Sequence, residues 1–307
     1  MRFALLAVLT LTACGNWSNE DLEYLYALPQ KDALKSQLGA MTGNTTQQPV
    51  SVGDPSTIYD DTKKQSDAFN AFIDSVLTAL DQIRTVQPTR REATARFWGP
   101  WPDSTHPGFD VQVEIHREND GANYSWSIKY RPRAGDFFTI AGGDFTPTTQ
   151  TLRKGRGNFF LDMKTIRDRL GDMGHPTDPD RADIHYATDA DPVIVQIDFT
   201  FGTSLTAGYA FNGYADQSAM LQWVVADPSN LLISKARFTA AWNPKTAGRG
   251  DYLVLEGKYA SAIGTECWDE GHIVVYGTGY TDAGFYEVGD KTKCIDGGTL
   301  ATLPDGG

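Results

Sequence analysis

Cysteine is scarce in this 307-residue chain. There are three, and no two are spaced as CxxC, which removes the usual redox pair and the usual zinc ligand spacing. Catalytic signatures are missing as well: no GxSxG elbow, HExxH pair, phosphate-binding Walker loop or dinucleotide fingerprint occurs. Basic residues are outnumbered, 27 Lys and Arg against 39 Asp and Glu, for a net charge of −12. A polyanion would meet net repulsion, and the densest basic clusters, Arg131 to Arg133 and Arg153 to Arg156, are short, so nucleic acid is not expected as a partner. The five histidines, His106, His116, His175, His185 and His272, are scattered beside turns or on polar strand positions. No metal, cofactor or catalytic residue is assigned.

The chain begins Met1-Arg2, then carries an apolar run from Phe3 to Ala13 that is too short to span a bilayer as a helix. This order of one positive charge and a short apolar stretch reads as an export signal. Its end, Leu11-Thr12-Ala13-Cys14, resembles the bacterial lipobox, whose cysteine is acylated before the signal peptide is removed. The resemblance covers 14 residues and implies that residues 1–13 are a signal peptide and that Cys14 carries the lipid. Several acyl chains on one residue hold a protein to a membrane stably, at about 0.8 kcal/mol per buried methylene. The expected partner is therefore a membrane, through Cys14. Gly15, where Asp would favour the inner membrane, leans the expectation to the outer membrane of a bacterial envelope. With Cys14 assigned to lipid, Cys267 and Cys294 remain in an exported chain and are expected to pair. Loss of Arg2 with the signal takes the net charge from −12 to −13.

Ser18-Asn19-Glu20-Asp21 places a capping oxygen and acidic residues ahead of Leu22, Leu25, Tyr26 and Leu28, which predicts a short helix. Asp32 to Leu38 offers another turn or two, and residues 39–57 have the Gly, Thr, Gln, Pro and Ser content of a flexible loop. Residues 14–58 are thus read as anchor, short helix and linker, and 59–307 as a single β-rich domain. Within it, Phe69, Phe72, Ile73, Val76, Leu77, Leu80 and Ile83 draw one apolar stripe at helical spacing over residues 59–86, ended by Pro88.

From about residue 93 the period becomes two. Val111, Val113 and Ile115 alternate with polar residues, as do Tyr124 to Tyr130, Val193 to Phe201 and Ala236 to Trp242. Turn sequences such as Arg133-Ala134-Gly135-Asp136 and Thr246 to Gly250 separate such runs, and roughly ten to twelve strands are expected by this template. Met163 to Leu170 reads as a short helix stopped by Gly171. The fold class predicted is mainly β: a curved antiparallel meander, half-barrel or barrel, covered by the N-terminal helices, with a two-sheet sandwich as the alternative.

Candidate sites are few. The acidic stretch Asp178 to Asp191 lacks the pattern of a calcium loop and reads as a polar loop. Trp98 and Trp101, in Phe97-Trp98-Gly99-Pro100-Trp101-Pro102, are candidates for contact with a ligand or for core packing. The architecture loosely resembles the half-barrel carriers of lipids and lipoproteins, which would imply a hydrophobic ligand between sheet and helices. A structural or interaction lipoprotein with a filled core is the alternative, and an envelope hydrolase using paired acids comes third.

Overall fold

The computed structural model describes residues 18–36, 38, 50–118, 122–148, 151–171, 179–202, 205–226, 232–281 and 284–303. Cys14 with its lipobox, His175 and Asp178 lie outside them. Helix α1 spans Asn19–Tyr26, α2 spans Thr57–Ile83 and α3 spans Met163–Leu170. The strands are β1 Arg90–Arg91, β2 Ala95–Pro102, β3 Phe109–Arg117, β4 Tyr124–Pro132, β5 Phe138–Thr148, β6 Thr151–Asp162, β7 Arg181–Ala187 and β8 Val193–Phe201. They continue as β9 Leu205–Gly213, β10 Ala219–Ala226, β11 Lys235–Trp242, β12 Gly248–Glu256, β13 Ile263–Trp268, β14 Val274–Thr281 and β15 Gly284–Gly289.

These fifteen strands form one antiparallel sheet in sequence order. The chain is mainly β, and the sheet is an open meander: β1 and β15 are its edges, so it closes into no barrel and does not divide into a sandwich. The strand count exceeds the ten to twelve expected because segments such as β5, Phe-Thr-Ile-Ala-Gly-Gly-Asp-Phe-Thr-Pro-Thr, do not alternate cleanly. Glycine there is structural. A Cβ at Gly157 on β6 would meet the Asp144 carbonyl at 2.3 Å and the Tyr186 hydroxyl at 2.7 Å, so the ring of β7 lies across bare backbone.

Helix α2 begins where Ser56 accepts a hydrogen bond from the Tyr59 amide at 3.0 Å and runs across the strands. At one end Tyr59 meets Trp268 of β13, ring centroids 5.7 Å apart; at the other the Trp98 indole of β2 donates to the Val86 carbonyl at 2.8 Å. From β2 to β13 the sheet measures roughly 53 Å at the usual strand spacing. Tyr59 to Val86 covers only about 40 Å at the helical rise. An arc that much longer than its chord is bent, and the sheet wraps around the helix.

The apolar stripe of α2 faces this concave side. Phe69, Ile73, Leu77 and Leu80 are fully buried against Ile184, Val195, Ile197, Leu221 and Ala240 in one core cluster. Complete burial of each large side chain is worth about 1.5–3 kcal/mol, so this stripe holds the helix in place. Helix α1 belongs to the same core through Tyr24 and Leu25, with Leu28 just after it and Leu34 beyond the following 3-10 turn.

Candidate functional site

The interior between sheet and helices is where a hydrophobic ligand was expected. Trp126, Phe199 and Trp242 all point into it and are buried, and Phe72 of α2 meets Phe199 edge to face at 5.2 Å. Phe69, Ile73, Leu77 and Leu80 of α2 and Ile184, Val195, Ile197 and Leu221 of the sheet are fully buried, while Phe72, Tyr209, Phe238 and Tyr252 are partly buried against them. Among the described residues, four polar tips in this core, Tyr24 Oη, Trp126 Nε1, Tyr186 Oη and Trp242 Nε1, lack a hydrogen-bond partner. Trp126 and Tyr186 both pack on Phe159, each with ring centroids 5.9 Å from it. Burial pushes the Tyr186 phenol far above its ordinary value.

Trp98 is fully buried, tied to Val86 by its indole nitrogen, and Trp101 is partly buried against the same core. Between them the pairing with β3 slips, and Gly99, at φ +93°, is needed because a Cβ there would meet the Val111 carbonyl at 2.6 Å. Both rings pack against the core on β2, next to the edge of the sheet.

Cys267 and Cys294 are joined, their Cα atoms 5.3 Å apart. Cys267 points to the outer face of β13, so the bond fastens the segment after β15 across the outside of the sheet. Downstream, Gly297 lies against Arg249 and Gly298 against Met220. This explains why Met220 and Asn212, on the outer face, are buried.

Buried carboxylates lie at four separate places. Asp21 on α1 accepts from Arg96 Nε at 2.7 Å and from Arg91 Nη2 at 3.0 Å; burial raises its carboxyl, and the guanidiniums more than offset that and hold it below the ordinary range. Asp103 accepts from the Thr105 amide at 2.8 Å and faces His106 Nδ1 at 2.6 Å. Glu114, on the outer face of β3, accepts from Lys129 at 2.7 Å and Gln112 at 2.6 Å and faces His116 at 3.3 Å. Its carboxyl too is raised by burial and held down overall by Lys129 and its other donors. Glu266 of β13 reaches the start of α2, bonded to the Ser56 hydroxyl, the Thr57 hydroxyl at 3.1 Å and the Ile58 amide at 3.0 Å, and burial pushes its carboxyl up. Each is engaged by donors of its own.

The described part of the acidic stretch is spent on ion pairs and turns: Asp180 with Arg167, Asp183 with Arg181 at 2.7 Å, and Asp189 with Arg156 at 3.2 Å. Asp191 accepts from the Ala215 amide at 3.0 Å. Among the described residues no three His, Cys, Asp or Glu side chains converge on a metal position.

Sequence reading did not find the outer face as a site. From β3 to β8, His116, Ser125, Asp144, Asn158, His185 and Gln196 stand in register as one polar row. The row resumes from β10 to β15 as Gln222, Thr239, Asp251, Thr265, Thr278 and Glu287. Beside it, at the other end of β12 to β15, is an apolar row. Leu253 pairs with Ile263, Tyr280 pairs with Phe285, and Tyr280 packs on Phe285 at 5.5 Å and on Tyr259 at 6.2 Å. Ile263 is 60% exposed and Phe285 58%. The signal for this row was the loss of polar partners in the alternation of β12 to β15.

No family model, curated protein sequence or solved structure matches the chain.

Proposed function

We propose that this chain is an exported lipoprotein, anchored to the bacterial envelope through acyl chains on Cys14, whose β body acts through its outer surface as a structural or interaction module. The observation that carries the second half is the packed interface between α2 and the sheet, where Phe69, Ile73, Leu77 and Leu80 are fully buried. A carrier needs a cavity of several hundred cubic ångströms in that place. The first half is supported by the lipobox residues and by the Cys267–Cys294 bond, which leaves Cys14 as the unpaired cysteine of an otherwise disulfide-bonded chain.

A second reading, a carrier of a small hydrophobic ligand with one polar group, draws support from the unpartnered Trp126 and Tyr186 tips. Native mass spectrometry of a soluble form beginning at Asn16, purified without added lipid, separates the two. A clean protein mass and no gain in lipid-probe fluorescence are expected; a co-purifying lipid overturns the solid-core reading. For the anchor, Cys14→Ser is expected to release the protein from membranes and abolish palmitate labelling, and unchanged labelling overturns it.

A further inference from the structure

One cross-strand row of the outer face is covered. Cys267, Arg249, Ala241, Met220, Asn212 and Ile194 stand in register from β13 to β8. All but Arg249 are at most 8% exposed, whereas Asp251, Thr239 and Gln222 of the neighbouring polar row are partly exposed. The cover is the C-terminal segment. Gly297 lies against the Arg249 side chain, Gly298 against the Met220 sulfur, and the Ala301 N–H donates to the Asn212 side-chain oxygen at 2.7 Å. From Cys294 to Ala301 an extended chain spans at most about 24 Å. The four strand spacings from Cys267 to Asn212 take about 19 Å, so the segment runs nearly straight along the row.

Little besides the disulfide holds it there. Among the described residues the Ala301 bond is the one hydrogen bond from 295–303 to the sheet, and Ile295, Leu300 and Leu303 are only half-buried. The large apolar core lies on the other face of the sheet and does not include this segment.

We propose that the Cys267–Cys294 bond is a redox-operated latch, whose reduction lifts residues 295–303 and bares the Met220 row while the sheet stays folded. Cys267 is fully buried and Cys294 partly exposed, so an external dithiol attacks from the Cys294 side. Its thiolate bonds to the Cys294 sulfur, and the Cys267 thiolate leaves and takes up a proton. The second thiol of the reductant then displaces Cys294 and closes the reductant's own disulfide. Two electrons and two protons pass from the dithiol to the two cysteines. The strip laid bare carries thioether, amide and aliphatic groups, so reduction changes which outer surface the body presents. The latch works whether or not Cys14 is acylated.

The test is methionine oxidation of the full chain in detergent, comparing the disulfide form with protein reduced by dithiothreitol and capped with iodoacetamide before a pulse of hydrogen peroxide. Peptide mass spectrometry is expected to show Met220 oxidising about ten-fold faster in the reduced protein, as local opening without global unfolding allows. Met163, partly buried on α3, and the far-ultraviolet circular dichroism are expected to stay unchanged. Cys294→Ser, which needs neither reductant nor cap, is expected to match the reduced protein, and reoxidation before capping to restore protection. Met220 that stays protected in the reduced protein or in Cys294→Ser overturns the proposal, because other contacts then hold the segment. So does a bond that yields only as the dichroism is lost, or a Met163 rate that rises together with that of Met220.

Discussion

The helical layer is fastened to the sheet at each end by one buried carboxylate, and the two fastenings are electrically opposite. Asp21, 0% exposed, faces two guanidiniums, one of which, Arg96, is itself only 3% exposed. Glu266, 3% exposed, faces two hydroxyls and an amide, all neutral. A charge paired with a charge in a dry site is held below its ordinary titration range; one given only neutral donors is pushed above it. The first fastening fails when either partner is lost, whereas the second tolerates loss of its charge. At that neutral end the next residue, Cys267, adds a covalent tie.

Asp21→Asn breaks the comparison hardest. It leaves the buried Arg96 with only the half-exposed Glu20, at 3.0 Å, as counter-charge, and a loss of about 3–5 kcal/mol in urea unfolding, the scale of a broken buried ion pair, is expected. The pH dependence has a definite sign. Because the folded carboxyl is lower than the ordinary 3.8, its stabilisation is present above 3.8 and is lost as pH falls through the lowered value. The wild-type protein should therefore lose part of its advantage over Asp21→Asn in that acid window; an unchanged difference down to pH 2 would refute the pairing.

Replacing both Cys267 and Cys294 by Ser removes the tie at the neutral end. For a sequence separation of 27 residues the chain-entropy model expects a loss of about 3.5 kcal/mol. The effect should also be local. Lys291 and Lys293 are exposed in a 3-10 turn that the bond holds, and in the freed tail this turn should open so that trypsin cuts there before the sheet unfolds, leaving Met220 uncovered. Equal cutting rates with and without the bond would show that the tail is held by other contacts.

Much of this fold was legible from periodicity. The α2 stripe, the short helix at Met163 and the mainly β, antiparallel class follow from spacings of 3.6 and 2, because burial on one face imposes them directly. The expected pairing of Cys267 with Cys294 came from counting, and the structure brings those two together. The two carboxylate fastenings were not legible. Asp21 reads as an acidic residue in a first helical turn and Glu266 as one residue of a strand, and their partners are 70 and 75 residues away for Asp21 and 208 to 210 for Glu266. The same distance in sequence hides the outer rows, which exist only once the register across many strands is set. Trp98 and Trp101 could be read either way, since an aromatic beside proline looks alike whether it faces a ligand or the end of a helix.

Glu266→Gln sharpens the comparison with the smallest change. The glutamine oxygen, in the place of Oε1, still accepts from the Ile58 N–H and the Ser56 hydroxyl, and its amide nitrogen, in the place of Oε2, donates to the Thr57 hydroxyl, so the start of α2 should hold. A stability change of about 1 kcal/mol or less is expected, the scale of one exchanged hydrogen bond. Its sign depends on pH. The folded Glu266 carboxyl is raised above the ordinary 4.5, so its contribution is full below 4.5 and is lost as pH rises through the raised value. Gln has nothing to titrate in that window. Glu266→Gln should therefore gain on the wild-type protein as pH rises from 4.5, and a difference that falls with rising pH would mean that Glu266 is held as a stabilised anion by the start of α2, making the two fastenings alike.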